Sequence, residues 1–248
     1  MSLPLAAIWR ISRRDLSARI RGLRLLAICL FLGVATLAAI GSLTAGIAEE
    51  LSRRGQTILG GDVEIGIAQR KASEAEIAAM REAGSVSETV RLRAMAIGAD
   101  SLLAELKAID HVYPHYGALK LLDGRVVKAP AKGEIFVGPT LSERLDIETG
   151  GTVRFGEKTF KVAGIIEEEP DRLGEGFTLG PVAMISMESI PETGLIQPGS
   201  MFEYKYRIKI GPQEDAAAVA KALEAQFPSA GWDITDRSNG APGTRRFI

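Results

Sequence analysis

Residues 25–48 read LLAICLFLGVATLAAIGSLTAGIA and contain no charged side chain. As a helix with a rise of about 1.5 Å per residue, this stretch is about 36 Å long, which is enough to cross a hydrocarbon core about 30 Å thick with some tilt. The sequence therefore predicts a transmembrane helix over residues 25–48. The helix is expected to continue to about residue 59, because no proline interrupts it. A cleaved signal peptide is the alternative, but the apolar run is longer than such signals have.

The residues before this span are predicted to form a basic amphipathic helix, residues 1–24, at the cytoplasmic membrane surface. Arginines recur there at spacings of three and four, and apolar residues line the other side, a pattern typical of helices that lie in the membrane interface. The residues predicted to face the membrane surface or a cytoplasmic partner are Trp9, Arg10, Arg13, Arg14, Arg21 and Arg24. A set of arginines that fixes topology without binding a partner is the alternative.

Charge divides the chain unevenly. Residues 1–48 contain six Arg and one Asp, whereas residues 49–248 contain 24 Lys and Arg against 30 Asp and Glu. The positive-inside rule places the N-terminus in the cytoplasm and the remainder across the membrane. An acidic main part argues against nucleic-acid binding, which needs a basic face. The single cysteine, Cys29, excludes a disulfide framework and any multi-cysteine metal site.

Two β-α-β units are predicted beyond the membrane, one at each end of the remaining sequence. The first has a strand over residues 62–67, a helix with a capping box of Ser73 and Glu76, and strands over 86–97 and 102–109. The second has an alternating strand over 203–210, a helix opened by Pro212, and a strand over 232–235. Two such units commonly share one sheet.

The segment between the units is rich in Gly and Pro, and its predicted strands are short. They cover residues 134–137, 152–155, 159–166 and 182–186, with one helix near 140–145. The predicted fold class is α+β: one N-terminal transmembrane helix, then an extracytoplasmic α/β lobe of two βαβ units with a β-rich lobe inserted between them. The extracytoplasmic core domain spans residues 60–240, in which 60–117 and 201–240 form the α/β lobe and 118–200 the inserted lobe.

No motif for catalysis, cofactor binding or metal binding is found. A P-loop is excluded because no Gly-Lys pair occurs, and no G-x-S-x-G elbow is present. Pro114 between His111 and His115 argues against the helix that a zinc-binding pair needs. The acidic run Glu167–Glu169 with Asp171 is interpreted as a solvated loop. The residues thus favour a binding or mechanical module over an enzyme.

Four segments carry a family resemblance. They are Leu59-Gly60-Gly61-Asp62-Val63, Tyr113-Pro114-His115-Tyr116-Gly117, Glu169-Pro170-Asp171-Arg172 and Thr193-Gly194-Leu195-Ile196-Gln197-Pro198-Gly199-Ser200. Each is similar to a recurring segment of the FtsX-like, MacB/LolC-type ABC transporter permeases. The order of amphipathic start, first span and extracytoplasmic domain also resembles that family, and the resemblance covers nearly the whole chain.

The resemblance implies that residues 60–240 are a periplasmic core domain in the bacterial inner membrane. It also implies a separate cytoplasmic ABC ATPase as partner, contact with membrane lipid, a periplasmic partner or substrate, and no cofactor. We expect a permease subunit, or an N-terminal fragment of one, since the family has at least four spans and only one is predicted here. Such a permease would export or extract a hydrophobic or lipid-linked substrate. A single-pass extracytoplasmic binding or sensor protein without transport activity is the alternative.

Overall fold

The computed structural model describes residues 26–43, 55–57, 59–172 and 180–238 of the chain. Two compact units are distinguished, Met1–Glu50 and Leu51–Ile248, and the second is called the body below. The predicted α+β class, an N-terminal apolar helix followed by a mixed α/β body, is confirmed.

The first unit contains helix α1, Leu26–Leu43, with a mean hydropathy of 2.4 and no residue buried within the structure. Its length and composition are sufficient for membrane crossing. The predicted span over 25–48 is therefore seen as a helix over 26–43, whereas residues 44–48 lie outside the described residues. The predicted amphipathic helix over 1–24 also lies outside them.

Among its described residues, the body contains three α-helices of seven residues or more, two short 3-10 helices and eleven strands. The α-helices are α2, Glu74–Ala83; α3, Pro139–Leu145; and α4, Ala216–Gln226. The strands are β1, Val63–Ala68; β2, Ser85–Ile97; β3, Ser101–Ile109; β4, Leu119–Leu121; β5, Val126–Val127; β6, Glu134–Val137; β7, Thr152–Phe155; β8, Lys158–Glu168; β9, Val182–Ser186; β10, Phe202–Lys209; and β11, Asp233–Asp236.

The two predicted β-α-β units interleave in one sheet. Strand β10 lies between β1 and β2 and is antiparallel to both, and β1 lies between β11 and β10. Each unit therefore has a strand of the other unit between its own two strands, which is the split arrangement of ferredoxin-like folds. The helices α2 and α4 pack on the face that carries the apolar strand residues, including Ile65 and Tyr206.

The local signals for α2 and α4 are only partly those expected. The capping box of α2 is present, because Ser73 accepts from the Glu76 amide and Glu76 accepts from the Ser73 amide. The prediction that Pro212 opens α4 is wrong. This helix begins at Ala216 and is capped by Asp215, whose carboxylate accepts from the Ala217 amide at 3.0 Å, a stronger N-terminal signal than a proline four residues earlier.

The segment predicted as an inserted lobe continues the same sheet. Strand β9 pairs in parallel with β3, and the order continues through β6, β8, β4 and β5, while β7 pairs with β2 and β8. The main core cluster contains residues from both parts, such as Val63 and Val137. The hairpin of β4 and β5 is absent from the sequence-based prediction. The lobe boundaries at residues 118 and 200 stay predictions.

Candidate functional site

The candidate site is a group of charged side chains buried where the chain enters the body. Arg207, Lys107, Tyr113, Asp171 and Glu169 are all buried, and the side chain of Glu64 is nearly so. These six residues are called the Arg207 cluster below. Buried charges require partners, so their contacts define how the surrounding elements are held together.

Arg207, on β10, joins four separate parts of the body. Its Nε donates to the main-chain oxygen of Leu59 at 2.8 Å and to Glu64 Oε2 at 3.0 Å. Its Nη1 donates to Thr89 Oγ1 on β2 at 3.1 Å, and its Nη2 lies 2.8 Å from Asp171 Oδ2. One guanidinium thus holds four parts of the body together. They are the segment that precedes β1 and contains Leu59 (the incoming chain), β1 itself, β2 and the turn after β8.

Lys107, on β3, is the second cation of the cluster. Its Nζ lies 2.8 Å from Glu169 Oε1 and 2.8 Å from both carboxylate oxygens of Asp171. Tyr113 completes the arrangement by donating its hydroxyl to Asp171 Oδ1 at 2.5 Å. The Glu169–Asp171 turn is therefore fixed onto β3 and β10 by ionic contacts from which water is excluded.

The protonation states follow from these contacts. Burial alone would raise the pKa of Asp171, but Lys107 and Arg207 outweigh it and hold that pKa well below its usual range. Burial lowers the pKa of Lys107, and the neighbouring carboxylates of Asp171 and Glu169 oppose this effect. Burial together with the same two carboxylates raises the pKa of Tyr113 well above its usual value. Asp171 is accordingly ionised at neutral pH, and Tyr113 is a neutral donor to it.

Two glycines are required by the close packing around the cluster. Gly60 has φ +69°, and a Cβ there would lie 3.0 Å from Arg207 Cδ and 3.2 Å from Asp171 Cβ. Gly117 has φ +77°, and a Cβ there would lie 2.5 Å from Pro170 Cβ. Any side chain at either position would be strained by the backbone conformation and crowded by its neighbours.

A further buried carboxylate, Asp62, lies beside the cluster. Its Oδ1 accepts from Gln56 Nε2 at 2.7 Å and from Arg237 Nη1 at 2.7 Å. Its Oδ2 accepts from the Tyr116 hydroxyl at 2.8 Å and from the Ile210 amide at 3.0 Å. Burial would raise the pKa of Asp62, but these four hydrogen bonds lower it overall, so this carboxylate is ionised.

Three of the four segments that carry the family resemblance meet at this site. Leu59–Asp62, Tyr113–Gly117 and Glu169–Arg172 supply most of the contacts described above. The fourth, Thr193–Ser200, forms a turn stabilised by its own side chains: Thr193 Oγ1 donates to Ile190 O at 2.7 Å, and Ser200 Oγ donates to Leu195 O at 2.9 Å. That turn lines a cleft with Gln69 and Phe202.

The structure corrects one interpretation of charged residues and adds one that the sequence did not offer. Arg207 and Lys107 are on the polar side of the alternation in β10 and β3, yet both are buried because the incoming chain and the Glu169–Asp171 turn cover that end of the sheet. The run Glu167–Asp171 is not a solvated loop throughout: Glu169 and Asp171 are buried as ion-pair partners, whereas Glu167 and Glu168 are exposed.

The other residues considered in the sequence are not members of the Arg207 cluster. His115 is half-buried, with Nε2 3.1 Å from the main-chain oxygen of Arg207, and His111 is exposed. The predicted membrane-surface residues lie outside the described residues: Trp9, Arg10, Arg13, Arg14, Arg21 and Arg24. The structure therefore leaves their role a prediction.

Comparison with known proteins gives a family match over most of the chain. The family model described as "MacB-like periplasmic core domain" matches residues 25–226. A relative in Escherichia coli (strain K12), an uncharacterized ABC transporter permease called YbbP, is 27% identical over 219 residues. The aligned region covers 87% of this chain and 27% of that relative, so the chain spans about a quarter of the length of the relative.

Solved structures also resemble the chain. The periplasmic region of MacB from Actinobacillus actinomycetemcomitans is 14% identical with a TM-score of 0.49, and the match covers 74% of this chain and 91% of that one. The extracellular domain of a noncanonic ABC-type transporter, YknZ, from Gram-positive bacteria is 12% identical with a TM-score of 0.49, covering 70% of this chain and 100% of that one.

Proposed function

The chain belongs to the family that carries the MacB-like periplasmic core domain, and on that premise we propose that it is a permease subunit of an ABC transporter, or the N-terminal part of one. In this proposal α1 is the first membrane span, the N-terminus is cytoplasmic, and the body lies in the periplasm. The apolar composition of α1 supports the anchoring, and the six arginines before it support the orientation.

Energy for transport would come from a separate cytoplasmic ABC ATPase, as membership of an ABC permease family implies. The basic segment before α1 would lie at the inner membrane surface, where it meets lipid and the ATPase. Its proposed contact residues are Trp9, Arg10, Arg13, Arg14, Arg21 and Arg24. An amphipathic basic helix is suited to both contacts, because its arginines reach anionic groups while its apolar side stays in the interface.

The body would receive a displacement of the first span through the chain that enters it at Leu59. The hydrogen bond of 2.8 Å from Arg207 Nε to Leu59 O is the observation that carries this proposal, because it fixes the incoming main chain to a buried side chain of the central sheet. One sheet and one main core continue from there through the body. A displacement at Leu59 is therefore expected to move the body as a unit. The substrate class that we propose, hydrophobic or lipid-linked, rests on the family resemblance and not on this contact.

Affinity purification tests the proposed partner. The tagged protein is expressed from its own gene in its native host, solubilised from membranes, and its companions are identified by mass spectrometry. We expect an ATPase with a P-loop to co-purify. The double variant Arg13→Gln, Arg14→Gln should reduce its recovery several-fold, whereas the matched pair Arg53→Gln, Arg54→Gln beyond the span should leave recovery unchanged.

Two results would contradict the proposal. One is a protein that never retrieves an ATPase, which would favour a single-pass binding or sensor protein. The other is cysteine labelling in intact cells that finds the body in the cytosol. Equal loss of ATPase recovery in both arginine variants would remove the assignment of the basic segment as the contact.

A further inference from the structure

The two ends of the described part of the body lie close together. The incoming segment, residues 55–57 and 59–62, and the outgoing segment, residues 233–238, meet beside β1. Strand β11 pairs with β1 along four residue pairs, and the Arg237 amide then donates to the main-chain oxygen of Asp62 at 2.8 Å. Among the described residues, β11 forms one edge of the sheet.

The Asp62 carboxylate is a common anchor for both segments. Ile210 is buried and Tyr116 is half-buried, and their bonds to Oδ2 hold the carboxylate in place. Gln56 and Arg237 approach the other oxygen, each at 2.7 Å, from the incoming and the outgoing segment respectively. Both bonds are charge-assisted because the carboxylate is ionised, but only Arg237 brings a full positive charge to it, so Arg237 is the principal link.

The two segments also touch directly. A Cβ at Gly55 would lie 2.1 Å from the main-chain oxygen of Arg237, a distance at which one segment must move. Arg237 Nη2 also donates to the main-chain oxygen of Glu214, just before α4, at 3.2 Å. The side chain of Arg237 therefore spans from the incoming segment to the α4 end of the body.

We propose that Gln56, Asp62 and Arg237 form a clasp that holds the incoming and outgoing segments side by side and keeps β11 paired with β1. Separation of the two segments breaks the contact of Arg237 with Asp62 and releases β11 from the sheet edge. In the clasped state the incoming and outgoing segments move together. Asp62 is thus a positioning residue, and the use of the clasp in transport rests on the proposed function, whereas the clasp itself does not.

Hydrogen–deuterium exchange of the full chain in detergent tests this proposal without any transport assay. Arg237→Met keeps the aliphatic stem and removes the donors. We expect exchange in β11 to become faster by about tenfold or more, as loss of a charge-assisted hydrogen bond predicts, while exchange in β10 stays unchanged. Arg144→Met, at an exposed position of α3, is the matched control and should change neither strand.

A second pair of variants approaches the clasp from the incoming side. Gly55→Ala should accelerate exchange in β11 in the same way, because its methyl group meets the outgoing main chain. Gly180→Ala should not, because nothing lies within 4 Å of a Cβ at that position. Unchanged β11 exchange in Arg237→Met, or equal acceleration in β10 and β11, would overturn the clasp. Absence of an ATPase partner together with faster β11 exchange would instead leave the clasp intact and reject the proposed function.

Discussion

Lys107 Nζ lies 2.8 Å from both carboxylate oxygens of Asp171, and neither side chain is exposed to solvent. The two residues are 64 positions apart and belong to β3 and to the turn after β8. Their contact is therefore a tertiary restraint. Because Arg207 shares the same carboxylate, the restraint extends to β10 and, through Leu59 O, to the incoming chain.

Removal of the central charge should destabilise the body strongly. Asp171→Asn leaves Lys107 and Arg207 with less compensating charge in a buried site, and loss of one partner of a buried ion pair costs about 3–5 kcal/mol. Denaturant unfolding of the solubilised chain, followed by circular dichroism, gives the free energy of unfolding. Glu167→Gln, on the exposed part of the same acidic run, is the control, and we expect it to stay within about 0.5 kcal/mol of the unsubstituted chain. A similar small loss for both variants would contradict the central role of Asp171.

Gly60→Ala should cost more than a positive backbone angle alone explains. Gly60 and Gly124 both have positive φ, but a Cβ at Gly124 would have nothing within 4 Å, whereas a Cβ at Gly60 meets Arg207 and Asp171. Strain from the backbone costs of order 1 kcal/mol at either position, and crowding adds about 1–3 kcal/mol at Gly60. The measurement is the difference between the two alanine variants in free energy of unfolding. Equal losses of free energy of unfolding would mean that the Arg207 cluster rearranges to accommodate a methyl group at no additional cost.

Acid should weaken the junction of α2 with the C-terminal part of the body. The hydrogen bonds from Arg70 lower the pKa of Glu76 to about 2; burial opposes this shift and the hydrogen bonds from Ser73 add to it. Glu76 Oε1 also accepts a hydrogen bond from Trp232 Nε1 at 3.0 Å. Because the pKa of the folded state lies below that of the unfolded state, this carboxylate stabilises the fold fully above its ordinary pKa and loses the effect as pH falls toward 2. Unfolding free energies measured from pH 6 to pH 2 should therefore fall less steeply in Glu76→Gln. Glu74→Gln, which is exposed in the same turn, should retain the slope of the unsubstituted chain.

Much of the fold was accessible from local patterns, whereas the site was not. Strands β6, β7 and β9 have the predicted bounds, because short apolar runs between turn residues determine them locally. The burial of Arg207 and Lys107 depends on which distant segments cover the sheet, and strand alternation carries no information about that. The resemblance segments offered the one usable signal, since Leu59–Asp62, Tyr113–Gly117 and Glu169–Arg172 converge on these two cations. The pairing of Asp62 with Arg237 had no counterpart in the sequence, because the two residues are 175 positions apart and Arg237 follows the last predicted strand.

A double-mutant cycle should separate the buried ion pair from an exposed pair in the same part of the body. Lys120 Nζ and Glu168 Oε2 are 2.5 Å apart, but their side chains are 44% and 57% exposed, and exposed pairs contribute about 0.2–1 kcal/mol. For Lys107 and Asp171 we expect a coupling energy of at least about 2 kcal/mol, because either single substitution leaves the remaining buried charge with less compensation whereas Lys107→Met with Asp171→Asn removes both charges of the pair. Free energies of unfolding for the two single variants and the double variant of each pair give the two coupling energies. Equal coupling in the two pairs would show that water reaches Lys107, and the tertiary restraint on the incoming chain would then have to come from packing alone.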